Sequence, residues 1–596
     1  DSGSAIRQAC AEIRSVLIQT AAIEYNVDPA SLSVRDGEIS SSDGRVRTNY
    51  WALADEALLD READGSVKPK SPDTHRIVGQ SVPRIDLPDK VFGRPRFVHD
   101  LQLPGMLHGR IVDLASPRAK IVSVDDAAVK AMPGVVAVVR DGSFLGVIAE
   151  REAVAVKAAE KLAAAVRWEE GETLPDAANL AAFLTSTKHE TTIVEERTPA
   201  QPATVVKRHK ARFLKPYIAH ASIGPSAAVA CWADGSLEVW SHSQGIYNLR
   251  DDMAQGLRVP AERIKIHHTE GAGCYGHNGA DDVAFEAALL ARATPGRPVK
   301  LVWSRSDELG RSPMQAGHLV EVRAGTDASG NIVDWEHELW ANGYSSRPGR
   351  ADTPTLIAAL HLEKPFPPFI SINPPKAAGG GADRNSVPLY DFPKMKILNN
   401  RLLEMPIRTS ALRGLGAYAN IFALESFMDE LAIDAGRDPI EYRLAHLSDP
   451  RGRAVIEAAV KRATWWRDKR AEGVGHGFAF ARYKNLGAWC AVAAQIEAGA
   501  TLKVRRLAIA VDVGQVINPD GVRNQVEGGA IQTVSWVLKE AVKFDRMRIT
   551  SRSWEDYPIL TFSEVPQIDI ELINRPNERS LGAGEAPNGP AAAAIG

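Results

Sequence analysis

Glu585 is the only charged side chain in Leu581-Gly582-Ala583-Gly584-Glu585-Ala586-Pro587. Neighbours this small let a bulky group reach the backbone. The carboxylate is therefore either a solvated surface charge or a base facing a bound group. Gly271-Ala272-Gly273-Cys274-Tyr275-Gly276 has the GxGxxG form, follows a predicted strand and precedes a predicted helix. Glycines there permit a tight turn, and a helix start offers amide donors to an anion. The nicotinamide reading is poor. The strand and its exit carry Lys265, His267, His268 and Glu270, too polar for a central parallel strand, and Asp307 and Glu308 come later than the ~20 residues expected of a ribose acid. The loop reads as a site for another cofactor, with a structural turn as the alternative. Gln244, in Ser241-His242-Ser243-Gln244-Gly245, either donates its amide to a ligand oxygen or caps a turn. Arg413, at the Gly-rich entry to a long predicted helix, either grips an anion bidentately or pairs with Glu425. His267 and His268 are adjacent on a strand, point to opposite faces and make no metal pair. His277, in the glycine loop, is the better site candidate. No HExxH, GxSxG or Walker A stretch is present.

These residues need elements to position them. The 596 residues suggest about three or four folding units, because single cores stop growing near ~250–300 residues. A hydrophobic content of 44% and a charged content of 24% are those of a soluble globular protein. The net charge of −3 gives no reason to expect nucleic acid or an anionic membrane as partner. Apolar runs fall short of the ~18 residues that would span a bilayer. The cysteines, Cys10, Cys231, Cys274 and Cys490, form no CxxC pair, so an iron–sulfur cluster would have to sit on a partner.

Ile6, Cys10, Ile13 and Leu17 predict a helix over 4–24 with those residues on its buried face. Another helix is expected over 150–165, and a hairpin over 227–240 around Ala233-Asp234-Gly235. A strand over 263–267 should lead through the glycine loop to a helix over 281–293, with strands near 299–303 and 319–323. Residues 345–395 are rich in Pro and Gly and read as a long excursion covering a site or as an exposed loop. A helix over 420–435 should line one face with Ile421, Leu424, Phe427, Met428, Leu431 and Ala435. Gly436 can stop it, and Asp438-Pro439 can start the next. Residues 505–513 read as a buried strand.

Taken in order, the stretches resemble the molybdopterin-binding large subunit of the xanthine dehydrogenase/aldehyde oxidase family, in particular its isoquinoline 1-oxidoreductase and nicotinate dehydrogenase branch. The resemblance rests on Val98–His108, His220–Pro225, Tyr275–Asp282, Leu412–Gly416, Glu425–Leu431, Ile517-Asn518-Pro519 with Gln525–Gly529, and Gly584-Glu585. It implies an α+β, multi-domain molybdenum hydroxylase large-subunit architecture, a small α/β domain plus two elongated mixed α/β molybdopterin-binding domains. The implied division is 1–84 (the N-terminal piece of a permuted molybdopterin-binding domain), 85–175 (the small domain), 176–450 and 451–596 (the molybdopterin-binding domains). It further implies that Glu585 is the catalytic base and that Gln244, Gly273, Tyr275, Gly276, Arg413, Gly414 and Gly584 surround the cofactor. No metal ligand is expected from the chain itself. The implied reaction is oxidative hydroxylation of an electrophilic carbon in an N-heteroaromatic ring, with aldehyde oxidation and a non-catalytic scaffold as alternatives.

The implied cofactor is molybdenum with molybdopterin, in its cytosine dinucleotide form. [2Fe–2S] clusters would sit only in a small partner subunit, and a cytochrome c subunit would be a possible further partner. Two departures matter. His277-Asn278-Gly279 stands where a purine-type enzyme has Gly-Lys and an acid, which argues against xanthine. The Gly-Gln-Gly pterin segment expected between Glu497 and Leu502 is absent, so a further segment or chain is expected to supply it. A cytochrome-linked form would be periplasmic or membrane-associated, and otherwise cytoplasmic.

Overall fold

The computed structural model describes residues 2–466 and 471–596. The chain forms two compact units, Asp1–Gln80 and Ser81–Gly596. The first pairs the helix Ser2–Glu24 with a small antiparallel sheet of Leu32–Arg35, Glu38–Ser41 and Arg47–Asn49. The helix forms as its periodicity predicts, but its face differs. Ile6, Cys10 and Ile13 are exposed, whereas Leu17 and Ala21 pack with Ile39 and Leu53. The sheet is only a few residues long and its apolar residues meet the C-terminal half of the helix. The N-terminal half is held by polar contacts instead, the Glu12 carboxylate accepting from the Asp64 and Gly65 amides at 2.9 and 2.7 Å.

Three larger sheets build the second unit. The first runs in the order Ile264–His268, Ser236–Ser241, Ala227–Ala233, Val299–Val302, Leu107–Ile111, Phe144–Ala149, Val135–Asp141. Its hairpin turns at Asp234 and Gly235, whose φ of 48° and 72° are what a tight hairpin between right-twisted strands requires. The helix Ala280–Ala291 packs on this sheet with every residue buried. Its alanines let it lie close, and Trp232 Nε1 donates to the Ala288 carbonyl at 2.9 Å. A second sheet orders Lys207–Lys215, His318–Thr326, Ile332–Ala341, Lys394–Leu402 and His189–Arg197, and a third Val474–Arg482, Trp489–Ala498, Leu502–Asp512 and Gln567–Ile573.

The helix Ala417–Asp434 packs between these sheets and buries Ile421, Leu424, Phe427, Met428 and Leu431 of the predicted face. It begins three residues earlier than its apolar pattern, because Asn420 is used as an anchor. The Asn420 amide donates to the Ala382 and Arg384 carbonyls at 2.7 and 2.9 Å. The excursion over 345–395 is irregular yet largely buried. Asp252 accepts from the amides of Gly349 (3.0 Å) and Thr355 (2.8 Å). Asp282 accepts from Ile357 N at 2.8 Å and from Arg408 at 2.6 Å. These bonds fasten the segment to the body of the second unit. No helix among the described residues is long and apolar enough to cross a membrane.

Candidate functional site

The site is assembled around the segment Thr409–Gly416. Its backbone meets the glycine loop on one side, with Arg413 N donating to Tyr275 O and His277 N to Ala411 O, both at 2.8 Å. A Cβ at Gly276, whose φ is +144°, would run into the Ala411 carbonyl oxygen. The GxGxxG glycine thus serves a close approach of two backbones. The preceding strand, Ile264–His268, lies at the edge of its sheet, whereas a dinucleotide fold places that strand centrally. On its other side the segment meets the C-terminal loop. Arg413 Nε donates to Gly584 O at 2.5 Å and Gly414 N to Glu585 Oε1 at 2.9 Å. Further Arg413 donors reach Gln525 O at 2.8 Å and Gln532 Oε1 at 3.4 Å. Glu425, the alternative partner, is instead engaged by Arg443 at 2.9 Å.

Six of the eight expected residues are thereby brought into mutual contact: Tyr275, Gly276, Arg413, Gly414, Gly584 and Glu585. Gly273 belongs to the same loop, its carbonyl accepting from Asn278 Nδ2 at 3.2 Å. Gln244 is exposed and touches none of them. Its neighbour Ser243 lies beside Asp281. His277 is a strut: buried, it spans Asp281 through Nε2 and Ser410 Oγ through Nδ1, both at 2.8 Å. Burial holds its imidazole below the usual range, against the pull of Asp281. Burial also pushes the Asp281 carboxyl up, but the neighbouring His277 and Ser243 prevail and hold it below the usual range.

Two further residues were not legible in the sequence. Tyr483 lies beside Glu585, and burial followed by the charge of Glu585 pushes its phenol well above the usual range. Arg384 donates to the Tyr483 oxygen at 2.6 Å and to the carbonyls of Gly379 and Gly380 at 3.0 and 2.7 Å. Tyr483 sits where Lys484 and Asn485 both have left-handed φ, 59° and 54°, a conformation that ordinary residues adopt only under tertiary constraint. The one available signal was an arginine just after Gly379-Gly380-Gly381.

The residues present fit an anionic organic cofactor. Glycine-rich backbone at 271–276, 414–416, 528–529 and 582–584 converges on one arginine. Buried polar atoms without partners lie along the same walls, among them Ser222 Oγ, Asp281 Oδ1 and Asn588 Oδ1. Among the described residues no group of three or more His, Cys, Asp and Glu side chains is arranged to hold a metal.

Comparison with known proteins agrees. Residues 192–367 and 430–566 each match a molybdopterin cofactor-binding domain. A nicotinate dehydrogenase subunit of Pseudomonas putida is 37% identical over 99% of this chain and 50% of its own length. The isoquinoline 1-oxidoreductase beta subunit of Brevundimonas diminuta is 27% identical over 95% of this chain and 76% of its own length. The chain thus spans half the length of the first relative. The fold matches quinoline 2-oxidoreductase from Pseudomonas putida 86 with a TM-score of 0.70 at 16% identity, over 88% of this chain and 95% of that one. The expected α+β large-subunit architecture is therefore the observed one, and the chain belongs to the molybdopterin-binding large subunits of the molybdenum hydroxylase family.

Proposed function

We propose that this chain carries the hydroxylation site of a molybdenum hydroxylase acting on an N-heteroaromatic ring. The ring C–H becomes C–OH, the oxygen comes from water, and two electrons and two protons leave. The observation that carries this reading is the carboxylate of Glu585, held by the Gly414 amide at 2.9 Å, beside Tyr483 and between the Arg413 clamp and the glycine loop. A molybdenum–molybdopterin group, when bound, supplies the two-electron redox chemistry.

The chain's own residues bind, orient and move a proton. Glu585 is the general base, and the Gly414 amide on Oε1 leaves Oε2 to face the reacting water. Arg413 holds Gly584 and so sets the position of the base. Tyr275 and Gly276 form the opposite wall, with Gly273 letting the loop close over the ring. Gln244 offers its amide from the rim. Arg413, Gly414 and the 528–529 glycines are the residues that would hold the pterin. The cytosine dinucleotide form, a small [2Fe–2S] subunit taking the electrons, a cytochrome c beyond it and a separate Gly-Gln-Gly segment belong to the same proposal. So does the four-part division at 84, 175 and 450. The support is the order of the family motifs and the naming of the relatives as subunits.

Glu585→Gln in the assembled complex tests it. Molybdenum per chain and the melting curve should match the parent, while turnover of pyridine and isoquinoline substrates falls by about 10²–10⁴-fold, the usual worth of a positioned base. Near-parental turnover would remove Glu585 from the chemistry. Oxidation of aldehydes with no ring hydroxylation would reassign the substrate.

A further inference from the structure

The segment after the strand Ile332–Ala341 turns across the candidate site and is fastened on both sides of Arg347. Ser345 exchanges backbone hydrogen bonds with Ile372 at 2.8 and 2.9 Å. Ser346 N donates to Ser410 Oγ at 3.1 Å, the hydroxyl that also meets His277. Gly349 N donates to the buried Asp252 carboxylate at 3.0 Å. Ser410 lies three and four residues before Arg413 and Gly414, which grip Gly584 and Glu585. The backbone of Arg347 is thus fixed at the wall of the site.

Its side chain is mostly buried, yet among the described residues it makes no ion pair and no hydrogen bond. The most deeply buried arginines are engaged. Arg311 pairs with Glu286, Arg408 with Asp282, Arg443 with Glu425 and Asp429, and Arg384 bonds Tyr483. The acids near Arg347 each have a partner of their own on one oxygen, Asp281 Oδ2 at His277 and Glu585 Oε1 at the Gly414 amide. Burial lowers the Arg347 pKa, and the charges of Asp281, Cys274 and Glu585 oppose that shift. Around it lie further buried polar atoms without partners: both ring nitrogens of His220, Ser346 Oγ and Asp281 Oδ1. A guanidinium fork fits a carboxylate in two parallel hydrogen bonds.

We propose that Arg347 is the specificity-determining residue of this site and binds a carboxylate substituent of the heteroaromatic substrate, presenting the ring carbon to Glu585. This rests on the hydroxylase reading above for the nature of the ring. A neutral ring leaves the fork unpaired and is discriminated against for that reason.

The test is calorimetric titration of the resting, cofactor-loaded complex with pyridine-3-carboxylate and pyridine-3-carboxamide. The parent should bind the carboxylate at least ~10-fold more tightly. Arg347→Gln should bring the ratio close to one. Arg347→Lys should retain part of it, because an ammonium keeps the charge but not the fork, and it carries the test alone if the glutamine variant does not fold. An unchanged ratio in the variants overturns the proposal, as does equal or absent binding by the parent. Loss of molybdenum from folded Arg347→Gln also overturns it, by assigning the guanidinium to the cofactor. Turnover separates the two readings. A parent that discriminates through Arg347 but hydroxylates neither ring keeps the subsite and loses the reaction. A parent that hydroxylates both while binding them equally keeps the reaction and loses the subsite.

Discussion

The base at this site is defined by what donates to it. Gly414 N donates to Glu585 Oε1, and Arg384 donates into the Tyr483 oxygen at 2.6 Å, which leaves the phenolic proton of this neighbour available to Glu585. A hydrogen bond to a charged group contributes ~1.5–3 kcal/mol, and ~1.4 kcal/mol is tenfold in rate. Tyr483→Phe should therefore lower kcat by about 10- to 100-fold with molybdenum content retained, since Arg384 keeps the carbonyls of Gly379 and Gly380. A kcat equal to the parent's in the loaded variant would show that the hydroxyl does not orient the base. Glu585→Gln and Arg347→Gln act at the same scale but on different properties, the first on proton transfer and the second on substrate choice.

At the scale of elements the loop through Gly276 and the segment Thr409–Gly416 act as one unit, because their backbones touch. Gly276 combines a φ of +144° with the Ala411 carbonyl where a Cβ would sit. Gly276→Ala meets both strain and overlap, together on the order of 2–4 kcal/mol. It should lower the melting midpoint of the complex and loosen the wall facing Glu585. Gly245→Ala is the control, because a Cβ there meets nothing within 4 Å. Equal melting of the two variants would mean that the loop can yield without loss. The same elements show how far sequence carries. The hairpin at Asp234-Gly235 and the helices at 280–291 and 417–434 form where periodicity and turn residues place them. The face of the first helix does not, because which side is buried depends on a short sheet distant in sequence.

Across the whole molecule, buried charges fasten irregular chain to regular chain. Asp252 and Asp282 hold the excursion over 345–395, and Glu425 with Arg443 joins the helix Ala417–Asp434 to the third sheet through Phe480 N and Phe478 O. Glu540 is different, because it has no cationic partner in contact. Burial, only partly offset by hydrogen bonds from Ser535 and Tyr557, raises its carboxyl from 4.5 to about 7. The folded state therefore keeps a proton that the unfolded chain releases. That stabilisation is full below about pH 4.5 and is lost as the pH rises through about 7, a change of roughly 3 kcal/mol at most. Glu540→Gln stays neutral throughout. The parent's melting midpoint should fall relative to this variant's between about pH 5 and 8, and parallel curves would refute the assignment.

The amino-acid sequence alone determined the helices, the hairpin, the glycine loops and the order of motifs from which the cofactor class follows. Those properties depend on side chains a few residues apart. Tertiary structure decided which of the candidate residues meet. Gly414 and Glu585 are 171 residues apart in the chain, and no periodicity links them. It also brought Tyr483 and Arg347 to the site, residues without a motif, and left Gln244 on the surface beside it. The reason is physical. Local preference acts through neighbouring backbone, whereas a site is made where distant segments pack closely enough for their unpaired groups to find one another.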